Sequence, residues 1–132
     1  MNRRIEERRA KVNGARIMVI DDEKIVGKMI KSTFEQDGYT VETFVDAQPA
    51  LARLEEEKFA VVITDLKMKN IDGMQVLETI KAGSPETKVI MITAFASMDA
   101  AIEALRKKVD DFFPKPIKIK DLKASVKNLL NE

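Results

Sequence analysis

The stretch RIMVIDDEK, residues 16–24, sets an unbroken apolar run against three adjacent carboxylates. Ile17, Met18, Val19 and Ile20 read as a strand buried on both faces, the pattern of a parallel sheet rather than of a half-exposed one. Asp21, Asp22 and Glu23 follow without a break. Carboxylates in a row repel one another and resist partial burial, so their position at a strand end calls for a compensating cation.

Outward from this stretch, two periods alternate. Short apolar runs recur at 40–44 (TVETF), 59–64 (FAVVIT), 88–93 (KVIMIT) and, more briefly, 110–113 (DDFF). Between them lie segments with helical spacing. Residues 24–37 put Val26, Ile30 and Phe34 on one stripe. Asp46 stands as an N-cap, with Pro49 tolerated in the first turn of a helix to about Glu57. A helix over 74–82 follows the Asp72-Gly73 turn. Ser97 caps one to about Lys107 with Ile102 and Leu105 inward, and a last helix near 119–130 repeats Leu122, Val126, Leu129 and Leu130. Five β–α units in series predict an α/β fold, a parallel sheet covered by helices on both faces. Right-handed crossovers and the doubly wound rule favour the strand order 2-1-3-4-5.

Composition bounds the function. The 132 residues suit one domain, with 45% hydrophobic and 34% charged side chains. No apolar run approaches a membrane span and no signal-peptide pattern appears, so a cytoplasmic location is expected. There is no Cys and no His, which removes disulfides, the usual zinc sites and any histidine base or cysteine nucleophile. The overall charge of +1 comes from the start of the chain. Residues 1–13 (MNRRIEERRAKVN) hold five basic and two acidic side chains, against 18 and 20 in the remainder. The expected organisation is a basic leader, helix or linker, over 1–14 and a globular domain over 15–132, with no nucleic-acid binding. No aromatic residues interleave with the arm's charges and no reading helix is evident. The chain closes just after its last helix, so no output domain is expected within it.

Ligands of doubly wound sheets bind outside the carboxyl ends of the strands, at the switch in strand order. Those ends carry Asp21 and Asp22 (first strand), Asp65 (third), Thr93 (fourth) and Lys115 (fifth). Strands one and three are neighbours in this order, so the three aspartates converge. Taken singly, each has an ordinary reading: Asp22 or Asp65 as turn or cap residues, Thr93 as a strand former, Lys115 as a surface charge. Those readings predict no convergence at one edge. A cluster of carboxylates suits a hard divalent cation, Mg²⁺ above all, with Asp21 and Asp22 as cradle. Asp65 is then both ligand and nucleophile toward phosphorus, and Thr93 and Lys115 stand where phosphoryl charge needs neutralising.

The segments VIDDE, ITDLKMKNIDG, MITAF and DDFFPKPI, in this spacing, resemble the signature segments of response regulator receiver domains in two-component, histidine–aspartate phosphorelay signalling. The likeness runs from residue 16 to about 131 and implies the CheY-like, flavodoxin-like architecture. It implies Asp65 as phosphoacceptor from a sensor histidine kinase, a phosphotransfer protein or a small phosphodonor. It implies Mg²⁺ held by Asp22 and Asp65 side chains and the Lys67 carbonyl, with Asp21 acting largely through water. Thr93 would bond a phosphoryl oxygen, Lys115 would pair with it, and the Lys115–Pro116 bond would be cis. Phe112 takes the switch-aromatic position, although an ordinary core aromatic fits it too. In the family Thr93 moves toward the phosphate and the aromatic turns inward, remodelling the face built from the fourth helix, fifth strand and fifth helix. Lys67 and Phe95 occupy positions that tune phosphate lifetime, and their bulk is expected to hinder the attacking water. Ile25 and Met29, beside the inward stripe of the first helix, suit kinase docking.

Three features depart from the family pattern. Lys69 stands where proline is common, Lys108-Val109 replaces Gly-Ala before the fifth strand, and the basic leader lies outside the family core. A left-handed helix end at Lys108 costs about 1 kcal/mol or forces another turn. Other folds fit less well. A flavin binder would have its phosphate repelled by Asp21–Glu23, and a haloacid-dehalogenase-type phosphatase needs a second Asp where Lys67 stands. No phosphate-binding glycine motif appears. The readings that stay open are a stand-alone switch, the receiver of a longer regulator with a possible phosphorylation-dependent dimer, and a pseudo-receiver that binds partners without phosphorylation.

Overall fold

A computed structural model describes residues 15–131; the expected leader over 1–14 lies outside the described residues. Five strands, β1 (Arg16–Ile20), β2 (Thr40–Phe44), β3 (Val61–Asp65), β4 (Lys88–Thr93) and β5 (Asp111–Pro114), alternate with five helices. The helices are α1 (Lys24–Gln36), α2 (Ala47–Glu56), α3 (Gly73–Gly83), α4 (Met98–Arg106) and α5 (Ile119–Leu129). The sheet is parallel throughout in the order β2-β1-β3-β4-β5. Ile17 aligns with Val41 on one side and Val61 on the other, and Ile63 aligns with Ile90.

The pleat divides the core in two. Ile17, Val19, Ile63, Ile90 and Ile92 pack beneath α1 and α5, against Ile30, Phe34, Leu122 and Val126. Met18, Ile20, Val62, Val89 and Met91 face α2, α3 and α4, against Ala50, Val76, Leu77, Ile80 and Ala104. Continuous apolar strands are thus explained, because each must serve two helical layers. Lys81 of α3 bridges Asp110 at 2.7 Å and donates to the Thr87 carbonyl, tying the amino end of β4 to the approach to β5.

Two helix ends differ from their sequence reading. Asp46 is the residue preceding α2, but its side chain makes no capping bond. In α4, Ser97 does cap, accepting from Ala100 N, yet Ile102 and Leu105 do not point inward: they are 38% and 65% exposed. The one buried residue of α4 is Ala104, with Ala100 also packed against the core. Met98, Ile102 and Leu105 form the larger apolar stripe, but the small-residue stripe lets the helix lie close to the sheet and takes the inward position.

Candidate functional site

Each polar residue of the site is delivered by the end of a strand. Beyond β1, Asp21 stays tied to the sheet through its N–H, which donates to the Phe44 carbonyl at 3.0 Å. Its Oδ1 accepts from Glu23 N at 2.9 Å, folding Asp22 outward into solvent before α1 begins. Asp65 closes β3, aligned with Ile92, and is 4% exposed. Thr93 closes β4, fully buried, and its Oγ1 accepts from Phe95 N at 3.0 Å. Lys115 follows β5, its N–H held by the Thr93 carbonyl at 2.8 Å, and the Lys115–Pro116 bond is cis.

These residues meet. Lys115 Nζ lies 2.9 Å from Asp21 Oδ2, 2.9 Å from Asp65 Oδ2 and 2.9 Å from Glu23 Oε1. The contact to Asp21 Oδ2 is an ion pair without a well-directed hydrogen bond, so that buried oxygen lacks a true donor. Asp65 Oδ1 accepts only a long bond, 3.3 Å, from Lys67 N. One carboxylate oxygen from each of Asp21, Asp22 and Asp65 lies within 4.8 Å of the others. An all-oxygen set of this kind, with a buried oxygen short of a donor, fits a hard divalent cation.

Electrostatics follow from burial. Burial pushes the Asp21 carboxyl above its ordinary pKa, against the opposing pull of Lys115 and the Glu23 N–H. Burial likewise disfavours the Lys115 ammonium, but the surrounding carboxylates of Asp21, Asp65 and Glu23 outweigh this and hold its pKa well above the usual lysine value. The arrangement keeps the Lys115 ammonium beside the buried carboxylates of Asp21 and Asp65.

The profile of the response regulator receiver domain matches residues 17–127. The chain belongs to that family. The receiver is 28% identical over 115 residues to the response regulator MprA of Mycolicibacterium vanbaalenii, a match covering 87% of this chain and 50% of the relative. It therefore spans about half the length of the first curated relatives it matches. A CheY-like receiver domain protein from Methanospirillum hungatei JF-1 superposes with a TM-score of 0.86 at 31% identity, covering 89% of this chain and 94% of that one. A receiver domain protein from Clostridium thermocellum does so with a TM-score of 0.83 at 35% identity, with the same coverage.

Around this receiver's polar core, Lys67 and Phe95 approach across the mouth of the site, Lys67 Nζ lying 5.9 Å from the Phe95 ring centroid. Phe112 is half-buried and packs on the α2–α4 side of the core. Two residues gained no role from the sequence. Glu23 accepts a hydrogen bond from the Lys115 ammonium, a contact across 92 positions that only the fold reveals. Gly73 packs directly on the end of β3: a Cβ there would clash with the Asp65 carbonyl oxygen. The Asp72-Gly73 turn signal marked the place but not this contact.

Proposed function

We propose that this receiver domain, over residues 15–132, accepts a phosphoryl group on Asp65 from the phosphohistidine of a sensor histidine kinase or phosphotransfer protein, or from a small phosphodonor. The observation that carries the reading is the Asp65 carboxylate itself. It is buried, ends a central strand, and lies against both the Asp21–Asp22 pair and Lys115. In the transfer, a carboxylate oxygen of Asp65 attacks phosphorus, the P–O bond forms and the P–N bond to the donor imidazole breaks. The nitrogen keeps the bonding electron pair and takes up a proton.

Asp21, Asp22 and Asp65 side chains and the Lys67 carbonyl would hold Mg²⁺. When bound, the ion would offset charge on the phosphoryl oxygens. Lys115 holds and orients the Asp65 carboxylate before transfer and is placed to pair with the phosphoryl group afterwards. Thr93 is placed to donate its hydroxyl proton to a phosphoryl oxygen, which requires it to leave the Phe95 N–H it now accepts from. Phosphorylation shifts a two-state equilibrium by its differential interaction with the two arrangements of Thr93 and Phe112. Inverting a strongly biased equilibrium takes several kcal/mol, about 5.5 for a shift from 1:99 to 99:1. Charge-assisted bonds from Thr93 and Lys115 to a dianion supply an effect of that order.

The output surface is the α4–β5–α5 face, where Phe95, Met98 and Leu105 are exposed and support docking of an output domain, a target protein or a second phosphorylated copy. Ile25 and Met29, exposed on α1 beside the site, support docking of the kinase in the cytoplasm. Lys67 and Phe95 shield the acyl phosphate from water, so Phe95→Ala is expected to shorten its lifetime in a decay assay. A phosphorylation-independent pseudo-receiver is not favoured, because acceptor, acidic pair, Thr93 and Lys115 are all present and converge. Intact-mass spectrometry after incubation with acetyl phosphate tests the reading. One Mg²⁺-dependent phosphoryl adduct, absent in Asp65→Asn, is expected; no adduct, or one that survives Asp65→Asn, overturns it.

A further inference from the structure

At the amino edge of the sheet, opposite the aspartates, α2 and α3 part to leave a groove of about 590 Å³. Leu51, Leu54, Phe59 and Ile80 line its apolar surface. Its rim is acidic in balance: Glu55, Glu56, Glu57 and Glu86 border it with Lys58, although Glu56, Glu57 and Glu86 lie within 4 Å of Arg53, Arg16 and Lys58 respectively, in exposed pairs. Apolar surface beside an excess of acidic groups suits a segment that is basic and carries a few apolar side chains.

The chain holds such a segment. Residues 1–13 carry Arg3, Arg4, Arg8, Arg9 and Lys11 against Glu6 and Glu7, a net of +3, with Met1, Ile5 and Val12 between them. The remainder of the chain has no comparable basic excess, with 18 basic and 20 acidic side chains.

The described chain begins beside the groove. The Arg16 carbonyl accepts from Ala60 N at 2.9 Å, so the start of β1 runs beside the residue that follows Phe59. Arg16 Nε also lies 3.4 Å from Glu57 Oε1, an ion pair between the start of β1 and the lip of the groove. Fourteen residues reach at most about 50 Å extended, or about 21 Å as a helix, ample for a groove that starts within one side chain of their attachment. Tethering matters more than reach. A short linker supplies an effective concentration in the millimolar range, so even a weak intrinsic affinity leaves the site occupied.

We propose that the basic segment 1–13 docks in the α2–α3 groove of its own chain, its arginines toward Glu55 and Glu86 and its apolar side chains toward Leu54, Phe59 and Ile80. The contact lies at the opposite end of the sheet from Asp65 and does not depend on phosphorylation. Exposed ion pairs contribute little singly and are screened by salt, so docking weakens as ionic strength rises.

The absence of cysteine permits a direct test, because Asn2→Cys takes a single nitroxide label on the full chain. In ¹⁵N-resolved NMR spectra at low salt, amides of residues 54–59 and 79–87 are expected to broaden severalfold more than those of α1 and α4. The broadening is expected to fall away at about 0.5 M NaCl and in the labelled Glu55→Lys/Glu86→Lys variant. Both substituted positions are exposed, and Glu55→Gln/Glu86→Gln serves if the reversals disturb folding. Broadening that spreads evenly around Ala15, or that ignores both salt and charge reversal, overturns the proposal. So does broadening of ¹⁵N chains by separately labelled ¹⁴N chains, which would place the segment on a second copy instead.

Discussion

Helices α1 and α4 end in the same way and are anchored differently. After α1, Gly38 adopts a left-handed conformation at φ 96° while Gly38 N and Tyr39 N donate back to the Glu35 and Phe34 carbonyls. After α4, Lys108 does the same at φ 70°, with Lys108 N and Val109 N bonded to the Leu105 and Ala104 carbonyls. Both are paired 6→1 and 5→2 helix terminations, but only one uses the residue that adopts this backbone without steric cost. Inward, α1 sinks Ile30 and Phe34 fully into the core, whereas α4 buries Ala104 alone. Few buried apolar contacts mean a low free energy for local opening. The weakly held helix is the one that follows Thr93, and the firmly held one follows the metal-ready aspartates. The candidate metal ligands thus adjoin the better-anchored helix, and the less deeply packed helix follows Thr93, which we propose senses the phosphoryl group.

Removing the anchors tests this contrast most strongly. Phe34→Ala is expected to cost about 3–5 kcal/mol in urea unfolding, whereas Leu105→Ala stays within about 0.5 kcal/mol. Comparable losses at the two positions would break the contrast. Gly73→Ala forces a Cβ against the Asp65 carbonyl and is expected to cost about 1–3 kcal/mol, with slower phosphorylation by acetyl phosphate. The two helix ends give smaller effects of opposite sign. Gly38→Ala is expected to lose about 1 kcal/mol and Lys108→Gly to gain up to about that much, read from the same unfolding curves. The smallest effect concerns the site itself. Burial raises the Asp21 pKa in the folded protein, so its contribution to stability is greatest below the ordinary aspartate pKa and is lost as pH rises above it. In chelator-treated protein at neutral pH, Asp21→Asn is therefore expected to raise the melting temperature, and to lose that advantage when Mg²⁺ is added.

Most of the architecture was legible because two-faced burial writes continuous apolar runs into parallel strands, and the doubly wound order then decides which strand ends meet. That Asp21, Asp22, Asp65 and Lys115 meet at one edge follows from their positions at the strand ends. What escaped depended on distance or on size. The Glu23–Lys115 pair joins residues 92 apart, and the Gly73 contact depends on how closely α3 approaches the end of β3. The orientation of α4 was misread because large apolar side chains outrank alanines in any periodicity argument, although close packing on the sheet selects the alanines. The sequence leaves Lys108 either a left-handed helix end or a different turn, and at φ 70° it takes the left-handed conformation.

The most direct measurement is hydrogen exchange on the protein phosphorylated by acetyl phosphate with Mg²⁺, with phosphorylation of Asp65 verified by mass. Altered exchange is expected in α4, residues 98–106, and in the 93–97 loop before it, with α1 amides unchanged. Stoichiometric phosphorylation that leaves α4 as it was, or that perturbs α1 equally, would contradict that expectation.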